Sequence, residues 1–237
     1  MRTAVHYLPI LTTFLSVVFA KRLHDHWRVN RSPHVGWWTV GVFFFGLGTF
    51  VESWTTIFGW QEWSFRTWYI TGALLGGAPL AQGTIYLLFS RRSANRLTFV
   101  LIAGVLIAMV CVLSSPIDYG LVEPHRLTGK VLAWKWVRMF SPFINTYAFF
   151  GLVGGAIWSA IQYKRAPEFR NRFLANVWIA IGGILPGIGG AFTRFGYTEV
   201  LYTTELIGLS LIFFGYSRYN AQLAPSIVHT ASAIETR

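Results

Sequence analysis

Charge is scarce in this sequence and acid scarcer still: nine Asp and Glu stand against twenty Lys and Arg in 237 residues, and only 12% of positions are charged. A soluble domain carries about a quarter charged residues. So few charges, with 54% hydrophobic residues and a mean hydropathy of +0.47, exclude that class. Cysteine is almost absent as well. The one present, Cys111, rules out an intrachain disulfide and a thiolate metal cluster, and its apolar surroundings make it a small core residue. No histidine falls in the core of an apolar run, and no Ser/His/Asp or metal-ligand set assembles inside one, which argues against an enzyme. His24-Asp25-His26 lacks a third ligand at metal-binding spacing, so no metal site is expected. The net charge of +11 comes without a basic stripe interleaved with aromatics, so no nucleic-acid partner is expected either.

What the chain has in abundance is apolar runs. Hydrocarbon tolerates only segments that satisfy their own backbone hydrogen bonds, and about 20 helical residues cross it. Seven runs qualify, over approximately 5–20, 36–57, 67–89, 97–113, 143–163, 173–192 and 198–216. The expected fold class is therefore all-α: a polytopic bundle of seven transmembrane helices over residues 1–217, followed by a short polar cytoplasmic tail, 218–237. The first run resembles a secretory signal, but its leading segment holds only Arg2 and a basic cluster follows it, so it reads as an uncleaved helix. With the N-terminus outside, thirteen of the twenty lysines and arginines fall in inner segments, which favours N-outside, C-inside. The inner stretch Lys21 to Pro33 reads as a solvated basic loop. The longest outer loop, Ser114 to Pro142, has helical periodicity from Thr128 to Phe140 and reads as an amphipathic helix on the outer leaflet, its basic residues facing lipid phosphates. A gate over an outer pocket is the other reading of that helix.

Pro79 and Pro186 lie deep inside their runs. Pro79 follows Gly72-Ala73-Leu74-Leu75-Gly76-Gly77, and Pro186 sits in Gly182-Gly183-Ile184-Leu185-Pro186-Gly187; both are expected to kink their helices, and Pro79 to free a carbonyl. The small-residue spacings Gly72-xxx-Gly76, Gly151-xxx-Gly155 and Gly183-xxx-Gly187 allow close helix approach.

The stretch from Asn176 to Tyr216 organises the rest: two apolar helices joined by the tight corner Thr193-Arg194-Phe195-Gly196-Tyr197. Its second arm carries Glu199 and, inside the apolar run, Glu205. A carboxylate in lipid is costly unless paired, neutral or turned inward, so it marks a candidate site. Glu52, Arg66, Tyr69, Arg194, Glu199, Tyr202 and Glu205 all fall in the outer half of the membrane or at its edge. Glu205 lies about 9 Å past the corner and shares a helix face with Tyr202. Two carboxylates meeting there would hold one proton between them, whereas an adjacent arginine, Arg194 being the nearest, would keep them ionised. Interhelical pairing without a ligand explains the same residues.

Gly46-Leu47-Gly48-Thr49-Phe50-Val51-Glu52, Phe65-Arg66-Thr67-Trp68-Tyr69-Ile70-Thr71-Gly72 and Thr193-Arg194-Phe195-Gly196 resemble uncharacterised bacterial seven-helix integral membrane proteins. The resemblance implies the fold and the bacterial inner membrane, and no activity. The topology is also similar to that of the microbial rhodopsins, but a retinal Schiff base needs a lysine in the last run, and none is present. Two functions fit: a non-enzymatic binding or sensor module, or accessory subunit of a membrane complex, with a polar site in the outer half; alternatively a proton-coupled transporter for a small solute. Partners are then the bilayer and a membrane protein or a second copy. A bound pigment, quinone or lipid stays open as cofactor.

Overall fold

The computed structural model describes residues 4–165, 167–193 and 195–221. Among them the regular structure is helical, with no strands. Helix α1 (Leu8–Asn30) ends at Arg31, whose φ of 48° turns the chain, and Ser32 is extended, as a residue before proline must be. Pro33 then opens α2 (Pro33–Phe58), where its missing N–H costs nothing. Gly59, at φ 87°, closes α2, and a reciprocal Gln61–Ser64 cap starts α3 (Glu62–Trp68). A π-helical turn (Tyr69–Leu74) and a break at Leu75–Gly77 lead to α4 (Ala78–Leu88). Next come α5 (Arg91–Ser114), α6 (Phe140–Phe149), a second π turn (Phe150–Gly154), α7 (Gly155–Tyr163), α8 (Arg170–Thr193) and α9 (Thr198–Ala221).

Among the described residues six helical stretches are long and apolar enough to cross a membrane: Ala4–Asn30, Pro33–Phe58, Arg91–Ser114, Lys135–Tyr163, Arg170–Thr193 and Thr198–Tyr219. The expected third run is interrupted instead. It nevertheless runs antiparallel along α2 in steady register. Ser64 meets Thr55, Trp68 meets Glu52, Gly72 lies against Gly48, Leu80 against Gly41, and Thr84 meets Trp38. The break falls where Gly76 and Gly77 precede Pro79, which stands in the first turn of α4 and cannot donate back. The carbonyl of Ala73, left over by the break, accepts from Ser141 Oγ at 3.1 Å and Asn145 Nδ2 at 3.0 Å. Pro186 lies inside α8, which is continuous around it, and its ring packs on Gly208.

Neighbour contacts close a ring in the order α1, α2, α4, α6–α7, α8, α9 and back to α1, with α5 outside against α4. Inside the ring lies a core of Phe19, Leu23, Val42, Leu80, Leu152 and Leu209. The α8–α9 pair is glycine-dependent: a Cβ at Gly182 would lie 2.5 Å from the Gly208 carbonyl oxygen, and one at Gly208 2.6 Å from that of Gly182. Gly189 and Gly215 stand seven residues from these, so the contact recurs every two turns along the seam. This register was not visible in the shorter Gly183-xxx-Gly187 spacing.

Two expectations are corrected. The stretch from Lys21 to Asn30 is not a loop but the last turns of α1; lysine and arginine are good helix formers, and the helix continues past its apolar stretch. The segment 128–140 is not one amphipathic helix but two 3-10 turns, Gly129–Val131 and Lys135–Met139, entering α6. Val131, Leu132 and Val137 are all buried. Leu132 pairs with Ile117, and Asp118 N donates to the Val131 carbonyl. Sinking these side chains into the end of the bundle requires a bent chain, not a straight helix on its surface.

Candidate functional site

At the N-terminal end of the bundle, α2 and α9 bring Glu52 and Glu205 together. Glu52 is 4% exposed. Its Oε1 accepts from the Trp68 indole N–H at 2.8 Å, and its carboxyl interacts directly with that of Glu205. Glu205 is partly exposed as a residue, yet its Oε2 is buried. Apart from that mutual contact, Oε2 of Glu52 and Oε2 of Glu205 meet no donor among the described residues. A third buried oxygen without a partner, Thr56 Oγ1, is four residues from Glu52 and so on the same face of α2. Each such atom costs about 1–3 kcal/mol unless something supplies its missing contact. Among the described residues no lysine or arginine forms an ion pair with either glutamate.

Toward the end of the bundle the site opens through α9. Tyr202, 3% exposed, lies within electrostatic reach of Glu52, Glu205, Glu199 and Arg126. Glu199, one turn further out, is half exposed and pairs with His6 at 3.5 Å; the His6 ring stands edge-on to Tyr202, 6.4 Å between centroids. Arg126 reaches the mouth from the folded loop. It contacts both oxygens of Glu123 at 3.1 Å and donates to the Thr193 carbonyl at 3.0 Å, capping the end of α8. Trp60 N donates to the Pro124 carbonyl at 2.7 Å, and His125 Nδ1 lies 3.4 Å from the Thr55 carbonyl, so the loop is seated beside the end of α2.

Of the residues singled out from sequence, Glu52, Glu205, Tyr202 and Glu199 form this constellation. Arg194 lies outside the described residues. Arg66 points elsewhere: it pairs with Glu62 at 2.7 Å, donates to the carbonyls of Val112 and Ser115, and so caps α5. Tyr69 is buried among Phe65, Trp68 and the loop at Gly129. Glu62 also accepts from the Tyr119 hydroxyl at 2.7 Å; that bond first, then Arg66, holds the Glu62 carboxyl below its ordinary range and raises the Tyr119 phenol above its own. Sequence reasoning missed Trp68, Thr56 and Arg126. Trp68 was discoverable, since it stands four residues before Gly72 and therefore shares the face turned to α2.

No group of three or more His, Cys, Asp or Glu suited to a metal ion occurs among the described residues. What the pair offers is acceptor oxygen: two carboxyls facing each other, one of them oriented by an indole. No protein-family model matches the chain, and no curated protein is significantly similar to it.

Proposed function

We propose that the chain is a bacterial inner-membrane protein of seven crossings, N-terminus outside, that works as a non-enzymatic binding or sensor module or as a subunit of a membrane complex, with its site at Glu52 and Glu205. The seventh crossing is the interrupted segment α3–α4, whose register along α2 from Thr55 to Trp38 gives it the length of a spanning helix. The orientation rests on the basic residues gathered at the opposite end: Lys21, Arg22, Arg91, Arg92, Lys164 and Arg165. The observation that carries the functional reading is the buried carboxyl pair with an unpartnered oxygen on each member. Structural glue ordinarily satisfies its own polar atoms, because a half-satisfied buried network is worse than an apolar one.

The test is native mass spectrometry with an absorption spectrum on protein purified in mild detergent. A bound small molecule, ion or stoichiometric partner, lost in Glu205→Gln while the fold persists, is the expected result. A colourless, ligand-free monomer whose Glu52→Gln and Glu205→Gln variants behave like the parent would sink it. The second reading, proton-coupled transport, is favoured by one observation: the π turn and the break at Leu75–Gly77 directly follow Trp68, the residue holding Glu52. Uptake into proteoliposomes driven by a pH gradient and abolished by Glu205→Gln would select it.

A further inference from the structure

Building on the binding reading above, we propose that the Glu52–Glu205 pair is a site for one monovalent cation, a sodium ion or a proton competing for the same oxygens, loaded from the N-terminal end of the bundle. Of the buried polar atoms without a partner, three are oxygens at or one turn from the pair: Oε2 of each glutamate and Oγ1 of Thr56, a residue 2% exposed and four positions from Glu52. Hard monovalent ions take such oxygens, as hard cations do generally. Divalent and transition metals want more carboxylates, or imidazole and thiolate, and no such group of three gathers among the described residues. The two carboxyls interact directly, so the cation they share is a small one held between their oxygens and not an organic ammonium.

Charge supports a count of one. Two carboxylates facing each other in a medium of low dielectric repel strongly, and a single positive charge between them removes the larger part of that cost. The groups facing the pair are few. Trp68, on the segment beside α2, contributes an uncharged donor, and Tyr202 on α9 lies within reach of both carboxyls; around Tyr202 stand Glu199 of the same helix, Arg126 from the folded loop and, paired with Glu199, His6 from the N-terminal turn. Arg126 is engaged with Glu123 and the end of α8, and its field reaches Tyr202 beside the pair. Glu199, Tyr202 and Glu205 recur every three residues on α9 and descend about 9 Å from the half-exposed mouth to the pair, an acidic path that attracts cations and repels anions.

The experiment is thermal unfolding of the purified full chain in detergent at pH 8, in sodium chloride against choline chloride at equal ionic strength. It is repeated at pH 5.5, with proton release followed by an indicator dye in weak buffer. The expected result is a sodium-dependent rise in Tm of about 5 °C at saturation. The apparent sodium affinity should fall about tenfold per pH unit in the acid range, with one proton released per ion bound. Glu52→Gln and Glu205→Gln should fold and lose the response, whereas Glu62→Gln, on the exposed ion pair, should keep it. A response to pH alone, with uptake of one proton that vanishes in Glu52→Gln, identifies the cation as the proton and upholds the proposal. A sodium effect that persists in both pair variants overturns it. Binding of an uncharged solute with no cation or pH dependence overturns it while leaving the binding reading intact; silence toward every cation, pH and solute defeats both.

Discussion

Two of the buried polar clusters among the described residues differ in one respect. Gln82, fully buried on α4, donates to the Ala94 carbonyl at 3.1 Å and to Thr98 Oγ1 at 2.7 Å, and accepts from the Tyr147 hydroxyl. Thr98 in turn donates to Tyr86, and Tyr86 to Asn95. Both ends of the Gln82 amide are satisfied, and the network ties the peripheral α5 to the ring. The Glu52–Glu205 pair joins α2 to α9 but keeps an unpartnered oxygen on each side. The first cluster has the chemistry of glue. The second, at the other end of the membrane segments, has acceptors to spare, and that surplus separates a site from a brace.

If the comparison is right, damage to the two clusters has opposite consequences. Gln82→Ala should be the most harmful of the changes considered. It leaves the Tyr147 hydroxyl without its acceptor, deprives Thr98 of a donor and opens space beside α5, costing about 2–4 kcal/mol, read as a fall in Tm and increased proteolysis between α4 and α5. Glu52→Gln or Glu205→Gln, in cation-free buffer at pH 8, should leave stability unchanged or raise it by about 1–3 kcal/mol, because one neutral amide ends the repulsion between two anions. A loss as large as that of Gln82→Ala would make the pair a brace after all and erase the distinction. Trp68→Phe should cost less, about 1 kcal/mol for the missing hydrogen bond to Glu52. It should also weaken any cation response more than it changes Tm, since the indole orients one carboxyl.

How much of this was legible beforehand follows from what each feature depends on. The spanning runs and the all-helical class rest on local hydropathy, which sequence displays openly. Glu52 and Glu205 stood out because a carboxylate inside an apolar run has few innocent explanations. Their meeting was not legible, since it depends on the ring closing α9 against α1 beside α2. Arg66 was drawn into the site because its partners, the carbonyls of Val112 and Ser115, leave no trace in residue identity. Arg126 was not legible as a neighbour of Tyr202, because it arrives from a loop whose fold is set by burying Val131, Leu132 and Val137. Its amphipathic period was real, but burial on more than one side breaks it into two turns. The end of α1 was misplaced because the apolar run stops at Ala20 while the backbone has no reason to.

The smallest effect concerns a carboxylate that is charged, partnered and exposed, the counterpart of the buried pair. Glu62 sits between Arg66 and the Tyr119 hydroxyl, and its folded pKa lies below the ordinary value of 4.5. A carboxyl lowered on folding contributes stability that is fully present above 4.5 and is lost as pH falls through the lowered value. At neutral pH the bonds help seat residues 117–121 on α3, where Trp60 also stands edge-on to Tyr119. Glu62→Gln should therefore reduce amide protection in 117–121 at pH 7 while shifting Tm by no more than about 1 °C, since solvent screens an exposed ion pair. The difference from the parent should vanish at a pH low enough to protonate Glu62. The buried pair predicts the reverse sign, because there acid relieves repulsion instead of breaking a bond. A Glu52→Gln variant less stable than the parent at pH 7, with the deficit vanishing in acid as for Glu62→Gln, would show that both ends hold their carboxylates by ordinary pairing.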